Sequence, residues 1–384
     1  MRFENVNRVL TLFMEGEINS YNADNIEKEI DSVVTTQQFD QLVLDFARIS
    51  YISSAGLRII LKLKQRYKDV SIVETSLEVY DIFSMTGFTN IMTVKKALRR
   101  VYVSGAQIVG EGYYSTVYRI DKDTIIKVFN RVNDENQIER ELKLAKQAFM
   151  LGIPTAISFD IVKVDDKLGV RFEMLDCSSL KEACLAHPER IHEYLIQYAA
   201  LLKKMNTTEC LDPNIPDKKQ EFLRKVEKIK QFLPEKAYEK CKKLISELPD
   251  RKTLIHGDCH FKNIMLQKNE MLLIDMDTLS VGYPIFELAA LYFAYCGFNE
   301  SDHENSMKFF GIKEEDAKAL FDGLVREYFG KIDEDIVNKI RIVAYIQLVR
   351  WNRNNEPENE KRFLIAKQNL LDLLDKYDDL DIGL

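Results

Sequence analysis

Three polar side chains in the second half of the sequence have the types and spacing of a phosphoryl-transfer site. Asp258 and Asn263 lie five residues apart in the segment His-Gly-Asp-Cys-His-Phe-Lys-Asn. From a single loop, the Asp can orient a hydroxyl nucleophile while the amide oxygen of the Asn binds Mg²⁺. Asp275 follows the apolar run 271–274, and a buried strand ending there would deliver it to the same pocket. The pattern predicts a kinase.

An upstream segment supplies groups that a nucleotide requires. Gly110 and Gly112 lie between two strand-like segments, and their backbone N–H groups could approach phosphate oxygens closely. Lys127 lies inside an apolar strand, where an unpaired ammonium is costly, and Glu141 in the next helix is its natural partner. Taken singly, Lys127 suits a strand edge and Glu141 a helix surface. Together and in this order, the residues predict that Mg²⁺ and ATP bind.

The elements that must position these residues change in type along the chain. Residues 1–100 alternate short apolar strands with helices over 23–34, 55–67 and 77–85, which predicts a small α/β domain. Residues 101–177 are β-rich with one helix over 136–150, and residues 178–384 are mainly helical. This order predicts a two-lobed α+β domain of kinase type after the α/β domain.

Charge and composition limit the classes of partner. The chain of 384 residues has a formal net charge of −7, and residues 1–100 hold 13 acidic and 13 basic side chains. The whole acidic excess therefore lies in the kinase-like part, which argues against nucleic acid as a partner. It is compatible with a cationic substrate, although a negative surface more often serves solubility.

Cysteine usage and hydropathy predict a cytoplasmic protein with no membrane association. The six cysteines are scattered without a Cys-x-x-Cys pair, which indicates reduced thiols. The early apolar run of residues 9–14 is too short and too closely flanked by Glu for a signal peptide. No apolar run is long enough to span a bilayer.

Residues 101–384 resemble the aminoglycoside phosphotransferase and choline kinase branch of the protein-kinase-like fold. The resemblance rests on the segments 256–263 and 274–277, and the form His-Gly-Asp differs from the His-Arg-Asp of eukaryotic protein kinases. It implies ATP- and Mg²⁺-dependent transfer of phosphate to a hydroxyl of a small molecule. The residues that it implicates are Asp258 as the catalytic base, Asn263 and Asp275 as Mg²⁺ ligands, Lys127 as the α/β-phosphate contact, Glu141 as the partner that orients Lys127, Gly110 and Gly112 as phosphate-loop glycines, and Glu173, Met174 and Leu175 as the hinge that holds adenine.

The same resemblance implies structural roles near the catalytic loop. Gly282, Pro284 and Glu287 occupy the Gly-x-Pro…acidic stretch of the family. His256 is expected to brace the loop rather than to titrate in catalysis. The acceptor pocket of the family is built from variable helices, here approximately 180–250 and 285–384, so the sequence leaves the acceptor unidentified.

Residues 1–100 resemble a STAS domain, the fold of bacterial anti-sigma factor antagonists. The resemblance rests on the segments 44–46 and 51–57, and it implies a regulatory protein partner and a phosphorylated Ser at position 54. A phosphate there would meet the free N–H groups and the positive dipole end of a helix. The other interpretation is that Ser53 or Ser54 is a helix N-cap without modification.

Two functions of different class remain open at this stage. The first is a metabolite kinase with a regulatory or docking STAS domain. The second is a signalling protein of the anti-sigma factor antagonist type, in which the kinase-like domain phosphorylates Ser54 or another protein.

Overall fold

The computed structural model describes residues 1–112, 115–130, 134–268, 270–354 and 360–384. These residues form two compact units. The first unit contains residues 1–102 with 162–166, and the second contains residues 103–161 with 167–384.

The first unit is an α/β structure built on a five-stranded sheet in the order β1-β2-β3-β4-β5, where β1 is antiparallel to β2 and the other pairs are parallel. Its elements are β1 (Arg2–Val6), β2 (Val9–Ile18), α1 (Ala23–Val34), β3 (Gln41–Ile52), α2 (Ser54–Arg66), β4 (Val70–Thr75), α3 (Leu77–Met85), β5 (Thr93–Lys96) and β6 (Arg99–Arg100). Alternate residues of β2 and β3 are buried, as expected when one face of a strand meets the core.

The β-rich part of the second unit holds the nucleotide-type residues. Its elements are β7 (Gln107–Glu111), β8 (Ser115–Arg119), β9 (Thr124–Phe129), α4 (Glu135–Met150), β10 (Ser158–Val164), whose last three residues are counted with the first unit, and β11 (Lys167–Glu173). In the sheet, β10, β11, β9, β8 and β7 are neighbours in that order. Asp134 caps α4 by accepting a hydrogen bond from the amide of Asn136.

The remainder of the second unit is mainly helical and carries short strands around the site. Its elements are β12 (Ser178–Ser179), α5 (Leu180–Ala186), α6 (Ile191–Thr207), α7 (Lys218–Ile229), α8 (Glu235–Ser246), β13 (Leu254–Ile255), β14 (Ile264–Gln267), β15 (Glu270–Leu273), β16 (Ser280–Val281), α9 (Ile285–Tyr292), α10 (Asn305–Phe310), α11 (Glu314–Phe329), α12 (Glu334–Asn354) and α13 (Glu360–Leu374). One continuous apolar core runs through these helices and the hairpin of β14 and β15.

Two features of the structure relate to the expectations about cysteines and membrane spans. All six cysteines are free thiols. Within the described ranges, no helix combines the length and apolarity that a membrane crossing requires.

Candidate active site

The loop between β13 and β14 carries Asp258 and Asn263 and joins their side chains. The Nδ2 group of Asn263 donates to the backbone oxygen of Asp258 at 2.9 Å and to its Oδ2 atom at 3.2 Å. Because the amide nitrogen is used in this way, the amide oxygen of Asn263 is the atom left for a cation. The loop therefore presents a carboxylate and an amide oxygen on side chains that contact each other.

His256 braces this loop in its neutral form. Its Nε2 atom lies 3.1 Å from the carbonyl oxygen of Ile274, and its Nδ1 atom accepts a hydrogen bond from the amide of Asp258 at 3.3 Å. The ring thus carries its proton on Nε2. Complete burial is the main reason that the pKa of His256 is lowered to about 4. The side chain links the loop to the segment that leads to Asp275.

Glu287 anchors the start of the loop from α9. Its carboxylate accepts hydrogen bonds from the amides of His256 at 2.6 Å and Gly257 at 3.1 Å. The side chain is fully buried, and burial raises its pKa to about 7 against the opposing effect of the two N–H donors. Gly257 has φ +83°, a conformation that favours glycine. Glu287 therefore holds two amides of a backbone turn that only glycine adopts without strain.

Two tyrosines secure the middle of the loop. The hydroxyl of Tyr198 on α6 donates to the carbonyl of Cys259. The amide of Phe261 donates to the hydroxyl oxygen of Tyr295 at 2.8 Å. Both tyrosines are buried in the apolar core of the second unit, and no sequence motif marked this role.

Lys127 on β9 lies between two carboxylates. Its Nζ atom is 2.7 Å from Oε1 of Glu141 on α4 and 2.5 Å from Oδ1 of Asp275. Burial alone would lower the pKa of Lys127, but the carboxylates of Asp275 and Glu141 raise it above its usual value. The pKa of Glu141 is raised because burial outweighs the nearby ammonium, whereas Lys127 lowers that of Asp275 in spite of burial. The ammonium and both carboxylates therefore form one coupled group.

Asp275 differs in detail from its prediction. The strand β15 ends at Leu273, so Asp275 is the second residue after the strand rather than its end residue. The amide of Ile274 donates to the backbone oxygen of Asn263 at 3.0 Å, which ties the two motifs together. Asp275 then adopts φ 68° and ψ 65°, the left-handed conformation that is uncommon outside glycine and is concentrated at functional sites.

Several carboxylates crowd Asp258. Partial burial and the charges of Asp277, Asp275 and Glu287 raise its pKa above the ordinary value, while the hydrogen bond from Asn263 opposes that shift. The side chain still keeps 48% of its surface exposed. Asp258 is therefore a solvent-reachable carboxylate with a raised affinity for a proton, which suits a group that accepts one from a hydroxyl.

The two glycines of the predicted phosphate loop lie at a hairpin. Gly110 is in β7 and pairs with Val117 of β8, and the amide of Gly112 donates to the carbonyl of Ser115 at 2.9 Å. The amide of Gly112 is thus engaged within the hairpin. Tyr113 and Tyr114, which belong to the same sequence segment, lie outside the described residues.

The predicted hinge begins at the end of β11. The amide of Glu173 donates to the carbonyl of Ile157, and the amide of Met174 donates to the carbonyl of Asp123 at 2.8 Å. The carbonyl of Leu175 accepts from the thiol of Cys177. In this conformation the amide of Met174 is already paired, so an adenine ring would have to use other backbone groups of the segment.

The donor set fits a cation that is shared with a nucleotide. Within the described part of the chain, no group of three or more His, Cys, Asp or Glu side chains could hold a metal ion. Asp275 and the amide oxygen of Asn263 together offer two protein ligands. Mg²⁺ is commonly held by one or two protein groups plus phosphate oxygens and water.

The adjacent residues Ser53 and Ser54 have different positions at the start of α2. Ser53 is the N-cap of α2, and its side chain accepts from the amide of Gly56 at 3.4 Å. Ser54 is the first residue of the helix and is exposed. The capping role therefore belongs to Ser53, and the hydroxyl of Ser54 is accessible.

Comparison with known families defines the class of this protein. Residues 105–318 match the model of the Phosphotransferase enzyme family, APH, and this match covers more than half of the chain. The chain therefore belongs to the phosphotransferase enzyme family. Residues 1–101 match the STAS domain model. The protein BtrV of Bordetella bronchiseptica, whose name assigns it to the anti-sigma factor antagonists, is 32% identical over 98 residues, which are 24% of this chain and 84% of BtrV.

Solved structures with similar folds are distant in sequence. The ADP-bound aminoglycoside phosphotransferase APH(2'')-Ib is 16% identical over 71% of this chain and 92% of its own, with a TM-score of 0.46. A choline/ethanolamine kinase family protein from Mesorhizobium loti is 13% identical over 70% of this chain and 86% of its own, with a TM-score of 0.45.

The predicted fold class is confirmed by the two family matches. An N-terminal α/β STAS domain precedes a protein-kinase-like phosphotransferase domain. The chain is accordingly an enzyme of phosphotransferase type.

Proposed function

We propose that this protein transfers the γ-phosphoryl group of ATP to a hydroxyl of a small molecule. The observation that carries the proposal is the position of Lys127, whose ammonium contacts both Glu141 and Asp275. In this arrangement Glu141 orients the ammonium toward the position of nucleotide phosphates, and the ammonium neutralises the charge of Asp275. Asp258, which accepts a hydrogen bond from Asn263, is the group that would act on the acceptor hydroxyl.

Nucleotide binding is assigned to residues 101–177. Lys127, oriented by Glu141, would contact the α- and β-phosphates, Gly110 and Gly112 would form the phosphate hairpin, and residues 173–175 would hold adenine. Asn263 and Asp275 would hold Mg²⁺, which supplies charge neutralisation at the phosphates. The carboxylate of Asp275 that would hold the cation is the one that contacts Lys127 in this structure.

Acceptor binding is assigned to residues 178–384. Asp258 orients the acceptor hydroxyl and takes its proton as the new oxygen–phosphorus bond forms and the bond from the γ-phosphorus to ADP breaks. The raised pKa of Asp258 favours this step, and the hydrogen bond from Asn263 fixes the carboxylate in position. Residues 1–100 serve as a regulatory or docking domain. The free thiols suit a reducing compartment, and we place the protein in the cytoplasm.

Turnover by the full chain tests this function. Mg-ATP is supplied with panels of hydroxylated metabolites, and ADP release is measured for the wild type and for Asp258→Asn. We expect turnover with at least one small acceptor and a loss of roughly 100-fold or more in kcat for the variant. ADP binding should survive in the variant, since Lys127 and Asp275 are unchanged. Equal turnover by both proteins would refute the role of Asp258.

The exposed position of Ser54 supports a second candidate, the signalling function. In that case the kinase-like domain phosphorylates Ser54 or another protein, and the STAS domain binds a regulatory partner. Incubation with labelled ATP and no acceptor would place label on the wild type but not on Ser54→Ala. Ser20→Ala, which changes another exposed serine of the same unit, is the matched control. An unlabelled wild type would exclude self-phosphorylation.

A further inference from the structure

Helix α7 buries two lysines in the stripe that faces the core. Lys218 and Lys225 are 6% and 8% exposed, and they alternate with the buried residues Phe222 and Ile229 at helical spacing. A lysine in a buried stripe is costly unless its charge is matched. These lysines were not identified from the sequence, although their place within an apolar repeat is a readable signal.

A single glutamate serves both lysines. Oε2 of Glu221 lies 3.0 Å from Nζ of Lys218, and Oε1 lies 2.6 Å from Nζ of Lys225. Burial lowers the pKa of Lys225 to about 8, and Glu221 only partly offsets the effect of burial and of Lys218 and Arg350. The side chain of Glu221 keeps 33% of its surface exposed, so the cluster opens to solvent beside it.

Helix α12 packs against α7 and carries a third cation, Arg350. Arg350 acts electrostatically on Lys225, and its Nε atom is enclosed with no hydrogen-bond partner among the described residues. One turn earlier on α12, Oε1 of Gln347 is also enclosed and unpaired within the described ranges. The cluster, defined as Lys218, Lys225, Arg350 and Glu221, therefore holds three cations and one carboxylate. Even when the buried Glu287 near Lys218 is counted, positive charge is in excess.

One member of the cluster, Lys218, lies against the catalytic loop. A Cβ atom added to Gly257 would be 3.1 Å from Nζ of Lys218, and one added to Gly282 would be 3.0 Å from Cβ of Lys218. Gly257 directly precedes Asp258. An anion bound beside Lys218 would thus lie next to the residue that precedes Asp258.

We propose that the cluster of Lys218, Lys225, Arg350 and Glu221 binds an oxyanion carried by the phosphate acceptor, so that the acceptor is a hydroxylated acid or phosphate ester. This inference rests on the proposed function for the identity of the acceptor, but not for the anion site itself. An ammonium has three N–H donors, and the contact with Glu221 does not occupy all three donors of Lys225. The guanidinium of Arg350 offers the planar donor geometry that carboxylates and phosphates match.

This acceptor class differs from the one that the net charge suggested. The acidic excess of the chain was compatible with a cationic substrate, but the charge nearest to the catalytic loop on the α7 side is positive. Local charge in a buried site outweighs the average surface charge, since solvent and salt screen the surface. The recognised group is therefore expected to be anionic.

Binding to the full chain tests the site without turnover. Thermal unfolding is followed with inorganic phosphate, a hydroxy acid and a sugar phosphate, at constant ionic strength. Wild type should show a concentration-dependent rise in Tm, and Lys225→Met and Arg350→Met should lose it. Lys228→Met, which removes an exposed lysine of the same helix, should behave as wild type. A rise with phosphate esters alone, or with hydroxy acids alone, identifies which anion the acceptor carries.

Two results would overturn the inference. One is the absence of any anion-dependent rise in the wild type, and the other is an equal rise in all four proteins, which would indicate non-specific binding. Unliganded Lys225→Met provides a second readout, because removing an excess buried charge should keep or raise Tm, whereas breaking a purely structural network should lower it.

A parallel titration with ADP and Mg²⁺ separates this inference from the proposed function. If ADP and Mg²⁺ bind while no anion affects any protein, the anion site is refuted and the nucleotide assignment stands. If anions stabilise the wild type but not the cluster variants while ADP does not bind, the site stands and the kinase function fails.

Discussion

Lys127 and Asp275 are separated by 148 positions in the sequence, yet the ammonium of Lys127 lies 2.5 Å from Oδ1 of Asp275. The contact joins strand β9 to the segment after β15, and Glu141 completes it from α4. Each partner satisfies a charge that would otherwise be costly to bury. The contact links the two halves of the site before a nucleotide binds.

Replacement of Lys127 should separate these halves. In Lys127→Met, Glu141 and Asp275 would lose their shared cation, and we expect kcat/KM for ATP to fall by about 100-fold or more. Lys143→Met changes an exposed lysine of the same helix as Glu141 and should leave kcat/KM unchanged. Steady-state kinetics on both variants measure the effect. Similar values for Lys127→Met and wild type would exclude a phosphate contact.

Glycine at position 257 should be required for more than its backbone conformation. Gly257→Ala would place Cβ 3.1 Å from Nζ of Lys218 and 3.4 Å from the carbonyl of Thr278, at φ +83°. Gly152 has a similar φ of +76° but nothing within 4 Å, so Gly152→Ala isolates the cost of the backbone conformation. We expect about 1 kcal/mol for Gly152→Ala and clearly more for Gly257→Ala, by urea unfolding. Equal losses of unfolding free energy in the two variants would show that the Lys218 side chain moves aside at no cost.

The buried Glu287 should make stability depend on pH. Its pKa in the folded chain, about 7, is above its ordinary value of 4.5, so the folded state binds more protons between these values. Its contribution to stability is therefore fully present below about pH 4.5 and is lost as the pH rises through 7. Glu287→Gln mimics the protonated form.

The comparison of the two proteins isolates this titration. The free energy of unfolding of the wild type, relative to Glu287→Gln, should fall between pH 5 and 7 by up to about 1.4 kcal/mol per pH unit. Urea denaturation at several pH values measures the difference. A difference that does not change with pH would mean that the carboxyl stays ionised throughout.

The two adjacent serines of α2 should respond differently to replacement. Ser53→Ala removes the N-cap side chain of α2, which accepts a hydrogen bond from the amide of Gly56, and should destabilise the first unit by about 1 kcal/mol. Ser54→Ala changes an exposed side chain and should have an effect below about 0.5 kcal/mol. Thermal unfolding of both variants checks this. A larger loss for Ser54→Ala would reverse the assignment of the cap.

Sequence patterns predicted local elements closely where one face of an element meets a core. The helices expected over 23–34 and 77–85 have those bounds in the structure, and the helix expected over 136–150 starts one residue earlier. Helical and strand periodicities are local properties, so they can be recognised without the tertiary structure. The strand before Asp275 was expected to extend up to Asp275, because apolar character continues through Ile274, but the pairing ends at Leu273.

Contacts between segments that are distant in the sequence could not be predicted from sequence patterns. The Gly-x-Pro…acidic stretch indicated a structural role for Glu287, but only the structure shows that its carboxylate accepts the amides of His256 and Gly257. The same holds for Tyr198 and Tyr295, whose hydroxyl groups bind backbone groups of the catalytic loop. Sequence spacing cannot specify which buried side chain meets which backbone atom.

The sequence by itself determined the phosphotransferase motifs, because Asp258 and Asn263 share one loop and their spacing is local. Tertiary structure decided which charges meet: Lys127 with Asp275, Glu287 with the loop amides, and Lys218 and Lys225 with a single Glu221. The physical reason is that charge pairing in a buried site depends on distances between elements, which the packing of helices and sheets sets.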